Sequence, residues 1–134
     1  MDPEPWWTYR AQTDQYSDHE HGVVDGDTLD LLLDQGLGTY GAVRVRLGRV
    51  DTAETYGVAR DTPEYEAGAE QSAFVAGWLA EADEGWAGPW PLIARTTQDG
   101  TGKYGRLMAE ITRRHDGANL AADLIAEFPG VATE

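Results

Sequence analysis

The sequence predicts a mainly β protein of five strands and two helices (an α+β fold), arranged as one small barrel domain. Several short segments alternate apolar with polar residues and are separated by glycine-rich turns, which is typical of strands that bury one face. One longer segment in the middle repeats its apolar residues every three or four positions, as a helix does. The 134 residues can bury one core, so we expect a single domain over residues 1–134, with residues 1–5 as a loose N-terminal arm.

The first three strands are predicted at residues 6–13, 23–34 and 40–50, because apolar side chains alternate along each of them. The glycines between the last two segments favour a hairpin turn. In the third strand, Arg44 and Arg46 fall on the face opposite the apolar residues. The side chains expected to face the core are Leu29, Leu31, Leu33, Val43, Val45 and Leu47.

The C-terminal half supplies the other elements. In order, we expect a loop at residues 56–65, a helix at 66–81, strands at 92–97 and 106–113, and a helix from about residue 119 to 127 capped by Asn119. The longer helix is expected to bury Ala69, Ala73, Phe74, Gly77 and Trp78 and to expose Glu66, Glu70 and Gln71. Because this helix lies between the third and fourth strands, the order suits a small, partly open barrel of the OB type.

The chain is strongly acidic, with 24 acidic and 10 basic residues and a net charge of −14. Such a surface repels nucleic acid at long range. Lys103 is the only lysine. This composition fits a protein of high-salt surroundings, where the screening length falls to about 3 Å at about 1 M salt; a genome that prefers arginine is the alternative. There is no cysteine, which excludes disulfides and cysteine metal sites.

The N-terminal residues contain neither a basic segment nor a long apolar run. We therefore expect no signal peptide, no membrane span and no membrane partner, and a cytoplasmic location unless a signal has been removed. No feature of the sequence points to an obligate protein partner, so we expect a monomer.

Chemically useful side chains concentrate in three segments, residues 25–28, 46–55 and 103–106. Together they offer carboxylates for a hard cation, a carboxylate able to move a proton, and arginines able to hold a phosphate. Oxygen ligands without nearby histidine or cysteine suit Ca²⁺. Arginine can bind phosphate oxygens with two parallel hydrogen bonds, which lysine does less well.

These three segments, in this order and with these separations, resemble the staphylococcal nuclease family. The resemblance runs from about residue 23 to residue 132 and also covers the helix containing residues 69–74. It implies an OB-type barrel and a Ca²⁺-dependent nuclease that acts on DNA, RNA or both with little sequence preference. Ala53 departs from the family pattern, because the family usually has proline there.

The resemblance also implies roles for individual residues. Asp27 and Asp51 would ligate Ca²⁺ through their carboxylates and Thr52 through its backbone carbonyl, with Asp25 just outside the ligands. Glu54 would activate the attacking water, and Arg46 and Arg106 would hold the phosphate. Lys103 and Tyr104 would contact the substrate beside them.

Other interpretations of these residues remain open at this point. Arg46 could instead pair with Asp30 across the hairpin, Asp27 could be only a turn residue, and Tyr104 could lie at the edge of the core. The pair His19 and His21 could bind a metal, although a solvated turn is the interpretation that we favour. Trp78, Trp86 and Trp90 are expected to anchor core and loops rather than to stack on bases.

An OB module that binds nucleic acid or protein without catalysis is the alternative function. A decayed copy of the enzyme should have lost at least one of the residues that carry the chemistry. Since Glu54, both arginines and both aspartates are present, the sequence favours the nuclease.

Overall fold

The computed structural model describes residues 6–53, 58–99 and 106–133. The helices and strands, in chain order, are β1 (Trp7–Thr13), β2 (Val23–Asp25), β3 (Thr28–Gly36), β4 (Thr39–Leu47), α1 (Pro63–Gly85), β5 (Leu92–Asp99), β6 (Arg106–Arg113) and α2 (Leu120–Glu127). Short 3₁₀ turns lie at Glu20–Gly22 and Pro129–Val131.

Five of the strands close into a barrel. Their order is β1-β5-β6-β4-β3, and β1 also pairs with β3, which completes the ring. The β4–β6 pair is parallel and the other pairs of the ring are antiparallel. With α1 between the third and fourth barrel strands, this is an OB-type topology. The predicted fold class is therefore confirmed, and the barrel is closed rather than partly open.

The alternation of the second and third predicted strands is confirmed by burial. The side chains of β3 and β4 expected to face the core are buried, except Val43, which is half-buried and packs against the core. The predicted strand at residues 23–34 is interrupted, however. Gly26 and Asp27 form a tight turn between β2 and β3, so that Asp25 pairs with Thr28. This turn places Asp27 at the start of a barrel strand.

Helix α1 is longer than predicted and buries a different face. It begins at Pro63, where the Thr62 side chain accepts a hydrogen bond from the Tyr65 N–H at 3.3 Å and caps the helix. The expected loop therefore ends before residue 63. The buried residues are Gly68, Gln71, Val75, Trp78, Leu79 and Ala82.

The predicted inward face of this helix was wrong at several positions. Ala69, Ala73 and Gly77 are exposed, Phe74 is half-buried, and Gln71 is buried. The helix is so rich in alanine and glycine that apolar periodicity hardly distinguishes its faces. Trp78 is buried and Phe74 packs against the core, as predicted, and Glu66 and Glu70 are exposed, also as predicted.

Helix α2 packs on α1 and on strand β6 of the barrel. As predicted, Asn119 caps it by accepting a hydrogen bond from the Ala122 N–H at 2.9 Å. The indole N–H of Trp78 donates to Asp123 at 2.9 Å and joins the two helices. Trp86 donates to the Pro89 carbonyl, and Trp90 stacks on Tyr40. In the described part of the chain, no helix has the length and apolar character needed to cross a membrane.

A cross-strand ion pair joins β3 and β4 outside the core. The register places Arg44 opposite Asp30 and Arg46 opposite Thr28, so Arg44, not Arg46, pairs with Asp30. Arg44 binds both carboxylate oxygens of Asp30, at 2.8 and 3.1 Å, and the Ser17 hydroxyl donates a third bond at 2.7 Å. The hydrogen bonds from Arg44, followed by that from Ser17, lower the pKa of Asp30 despite its burial.

This lowered pKa predicts part of the acid sensitivity of the fold. A carboxylate with a lower pKa in the folded state stabilises the fold above its unfolded pKa, and that stabilisation is lost as the pH falls below about 4. We expect Asp30→Asn to be less stable than wild type at pH 7, with a difference that narrows in acid. Denaturant unfolding from pH 7 down to pH values below about 4 measures this. The exposed Asp61→Asn is the control, and a difference that stays constant with pH would contradict the prediction.

Candidate functional site

The carboxylate of Asp27 joins three segments at one end of the barrel. Its Oδ2 accepts hydrogen bonds from Arg46 Nη1 at 3.0 Å and from the Thr52 N–H at 3.1 Å. Its Oδ1 accepts from the Thr28 hydroxyl at 2.9 Å. The side chain is only 6% exposed. Arg46 and Thr52 lie 19 and 25 residues from Asp27 in the chain, so the contact is tertiary rather than local.

Arg46 lies between two carboxylates. It projects from β4 on the face opposite the core; its Nη1 binds Asp27 and its Nη2 lies 3.5 Å from Asp51 Oδ1. The Arg46 side chain is 27% exposed, whereas that of Asp51 is 70% exposed. The guanidinium is thus held on its buried side by Asp27 and is accessible from the solvent on the side of Asp51.

The segment that carries Asp51 is fixed by three successive backbone N–H groups. The Asp51 N–H donates to the Val131 carbonyl at 2.8 Å, and the Thr52 N–H donates to Asp27. The Ala53 N–H donates to Gln71 Oε1 at 2.8 Å. Each bond leads to a different part of the chain: the C-terminal 3₁₀ turn, the start of β3 and helix α1. The conformation of residues 51–53 therefore depends on the whole fold.

Gly26 and Thr52 pack against each other beside Asp27. A Cβ atom on Gly26 would lie 2.8 Å from Thr52 Cγ2, which is too close for any side chain. The Thr52 hydroxyl is buried and has no hydrogen-bond partner among the described residues. A buried polar atom without a partner is rare in proteins and points to a water molecule or ion nearby.

The donor atoms around Asp27 fit Ca²⁺ in their chemistry. Two carboxylates meet at one guanidinium, and the family resemblance adds the backbone carbonyl of Thr52 as a third oxygen ligand. Ca²⁺ prefers such oxygen ligands and completes its coordination with water. Within residues 6–53, 58–99 and 106–133, no three His, Cys, Asp or Glu side chains come together. Among these side chains, Asp27 and Asp51 are the two carboxylates available to an ion, and its further ligands would be carbonyl oxygens or waters. The same finding leaves His19 and His21 without a third ligand.

Four of the predicted site residues lie wholly or partly outside the described part of the chain. Glu54, Lys103 and Tyr104 lie outside the described residues, as does the side chain of Arg106. The backbone of Arg106 begins β6, close to Met108, which pairs with Arg46. Asp25, at the end of β2, is half-buried and pairs with Thr28 next to Asp27.

The sequence did not indicate the contact between Gln71 and the backbone of Ala53. We expected it on the exposed face of the helix, whereas it is buried and binds the segment that carries Asp51. A polar residue can be recognised as a partner for a distant backbone group only after the buried face of its helix is known.

Comparison of the chain with protein-family models, with curated proteins and with solved structures finds no match to any of the three. The resemblance to the staphylococcal nuclease family therefore rests on the sequence alone, on the three motif segments and the helix containing residues 69–74.

The different burial of the two aspartates leads to a prediction about stability. Asp27→Asn replaces a carboxylate that binds a guanidinium and two other donors, so we expect a loss of about 1–3 kcal/mol in the free energy of unfolding. Asp51 is exposed, and its side chain makes one long contact among the described residues, so Asp51→Asn should change stability by less than about 0.5 kcal/mol.

Denaturant unfolding of both variants in chelator, without added metal, tests this comparison. Each variant removes one negative charge, so a general effect of net charge would be the same for both. Equal losses for the two variants would show that Asp27 does not have the structural role described.

Proposed function

We propose that this protein is a Ca²⁺-dependent nuclease that hydrolyses phosphodiester bonds of DNA, RNA or both with little sequence preference. The observation that carries the proposal is the direct contact of Asp27 with Arg46 and Thr52, together with the approach of Asp51 to the same guanidinium. The family resemblance assigns these four residues to an ion and a phosphate. Asp27 belongs to one motif segment and the other three residues to another, and a chance match of motifs gives no reason for the two segments to come into contact.

The described residues would divide the work between ion and phosphate. Asp27, Asp51 and the Thr52 carbonyl would hold Ca²⁺, which when bound supplies a Lewis acid that neutralises charge on the phosphoryl group. Arg46 donates hydrogen bonds to phosphoryl oxygens, and these strengthen as negative charge develops in the transition state. With the two carboxylates holding the ion, Arg46 would be free to bind the phosphate instead of its carboxylate partners.

The remaining roles fall on residues outside the described part of the chain. Glu54 accepts the proton of the attacking water, whose oxygen forms the new bond to phosphorus as the ester oxygen leaves. Arg106 provides the second guanidinium for the phosphate, and Lys103 and Tyr104 bind the substrate beside it. All of these contacts are to the sugar–phosphate backbone, which explains the expected lack of sequence preference.

One prediction of the proposed function concerns the dependence of activity on metal and salt. Purified protein should degrade single-stranded DNA with Ca²⁺ and stop when a chelator is added. Glu54→Gln and Arg106→Ala should each lower the rate by at least about 100-fold, because each removes a group that acts in the transition state. Circular dichroism checks that both variants remain folded.

The assay is run as a salt series up to about 1 M, because screening weakens the repulsion between an acidic surface and the substrate. Wild-type protein that is inactive at every salt concentration, with Ca²⁺ present, would overturn the proposal.

A second prediction uses two arginines of the same strand. Arg44 and Arg46 both project from the outer face of β4, and both bind a carboxylate of β3 or the adjoining turn. Arg46→Ala should lower kcat/KM by at least about 100-fold, as removal of a transition-state donor does. Arg44→Ala removes the same charge and an ion pair but should leave the rate unchanged at temperatures where it is folded. Equal effects on the rate would point to charge or stability rather than to phosphate binding.

One observation favours the alternative of a non-catalytic OB module. In this structure the donors of Arg46 are used by Asp27 and Asp51, as expected of a purely structural ion pair. In that case Arg46→Ala would lower the free energy of unfolding and there would be no activity to lose. The module would then bind nucleic acid or protein with its fold intact, which a binding assay without Ca²⁺ would detect.

A further inference from the structure

We propose that Gln71 is a positioning residue, which orients the backbone carbonyl of Thr52 for the cation; the inference rests on the proposed function. It concerns a residue of α1, outside the three motif segments. The observation is the hydrogen bond from the Ala53 N–H to Gln71 Oε1, at 2.8 Å.

Gln71 is the polar exception on a buried helix face. The other buried residues of α1 are apolar or glycine, and Gln71 is only 8% exposed. Burying an amide costs free energy unless it is hydrogen-bonded. The Gln71 carbonyl oxygen meets this requirement with the Ala53 N–H. An apolar residue at this position would leave the Ala53 N–H without its acceptor, so the bond holds the segment after Asp51 as well as satisfying the glutamine.

The geometry of the peptide group connects this bond to the ion site. The N–H of Ala53 and the carbonyl of Thr52 belong to the same planar peptide unit and point in opposite directions. Fixing the N–H therefore fixes the direction of the carbonyl. The preceding peptide unit is also fixed, because the Thr52 N–H donates to Asp27. Thr52 is thus held on both sides, and its carbonyl has one orientation.

The same bond also makes the carbonyl a better ligand. A donor bond at the N–H of a peptide unit polarises its carbonyl and places more negative charge on the oxygen. Partners of this kind around a metal ligand typically change metal affinity by 10- to roughly 100-fold. Ala53 makes the bond possible, since a proline at this position would have no N–H.

The test measures Ca²⁺ affinity by titration calorimetry, without substrate. Gln71→Met keeps the size of the side chain and removes the acceptor, so Ca²⁺ should bind about tenfold more weakly. Gln71→Glu keeps an acceptor oxygen and adds a negative charge, so Ca²⁺ should bind at least as tightly as to wild type. Val75→Ala is the matched control: it lies on the same buried face one turn later, lowers stability through a cavity, and should leave Ca²⁺ affinity unchanged.

A double-variant cycle isolates the hydrogen bond. In an Ala53→Pro background there is no N–H for Gln71 to accept, so adding Gln71→Met should cause no further loss of affinity. Hydrogen exchange reports the bond directly, and the Ala53 amide should be protected in wild type and lose protection in Gln71→Met. If Gln71→Met does not fold, Gln71→Asn is used instead. Its side chain is one carbon shorter, so its amide oxygen does not reach the Ala53 N–H.

The outcomes separate this inference from the proposed function. Wild type that binds no Ca²⁺ refutes the proposed cation and this inference together. If wild type and Gln71→Met bind Ca²⁺ equally tightly, the role of Gln71 alone is refuted. It is also refuted if Gln71→Met weakens Ca²⁺ binding equally whether residue 53 is alanine or proline. Three results together support the role of Gln71: Gln71→Met weakens Ca²⁺ binding, Val75→Ala does not, and Gln71→Met causes no further weakening when position 53 is proline.

Discussion

The buried carboxylate of Asp27 is the contact on which the candidate site depends. Taking a carboxylate out of water costs several kcal/mol unless charge and hydrogen bonds compensate. Here a guanidinium, a backbone N–H and a hydroxyl do so, and each comes from a different residue of the structure. The turn at Gly26, the end of β4 and the segment after it are therefore fixed relative to one another by one side chain. The close packing of Gly26 on Thr52 is a consequence of this arrangement.

The distribution of charge explains how so acidic a protein could still bind a phosphate. Most of the arginines with described contacts pair with carboxylates and so contribute little to the field at a distance. These pairs are Arg10 with Asp34, Arg44 with Asp30, Arg95 with Glu110, and Arg113 with Glu81 and Asp116. If the proposed nuclease activity holds, attraction of nucleic acid would therefore arise within the site itself. A divalent ion on Asp27 and Asp51 would reverse the local sign and release Arg46, so ion and phosphate would bind together more readily than separately.

How much of this could be predicted from the sequence depends on side-chain size. Leu29, Leu31 and Leu33 give a strong period of two, so the barrel strands and their inward faces followed directly. The alanines and glycines of α1 give almost no period, and its buried face was misassigned. The motif segments predicted that Asp27, Arg46, Asp51 and Thr52 belong together, although spacing alone does not reveal that Arg46 binds both aspartates. Long-range register, which decides such contacts, is not encoded in any short segment.

The identities of residues 53 and 71 depend on each other, because the N–H of one binds the side chain of the other. Residues 51–53 must hold one conformation if the Asp51 carboxylate and the Thr52 carbonyl are to face the same ion. A proline restricts that segment covalently and needs no partner, because it has no N–H. An alanine leaves the segment freer and leaves one partly buried N–H to satisfy, which favours an acceptor on the facing helix. Gln71 is that acceptor. In a chain of this fold with proline at position 53, an amide on this face of the helix would lose its partner, and an apolar residue at position 71 would pack better.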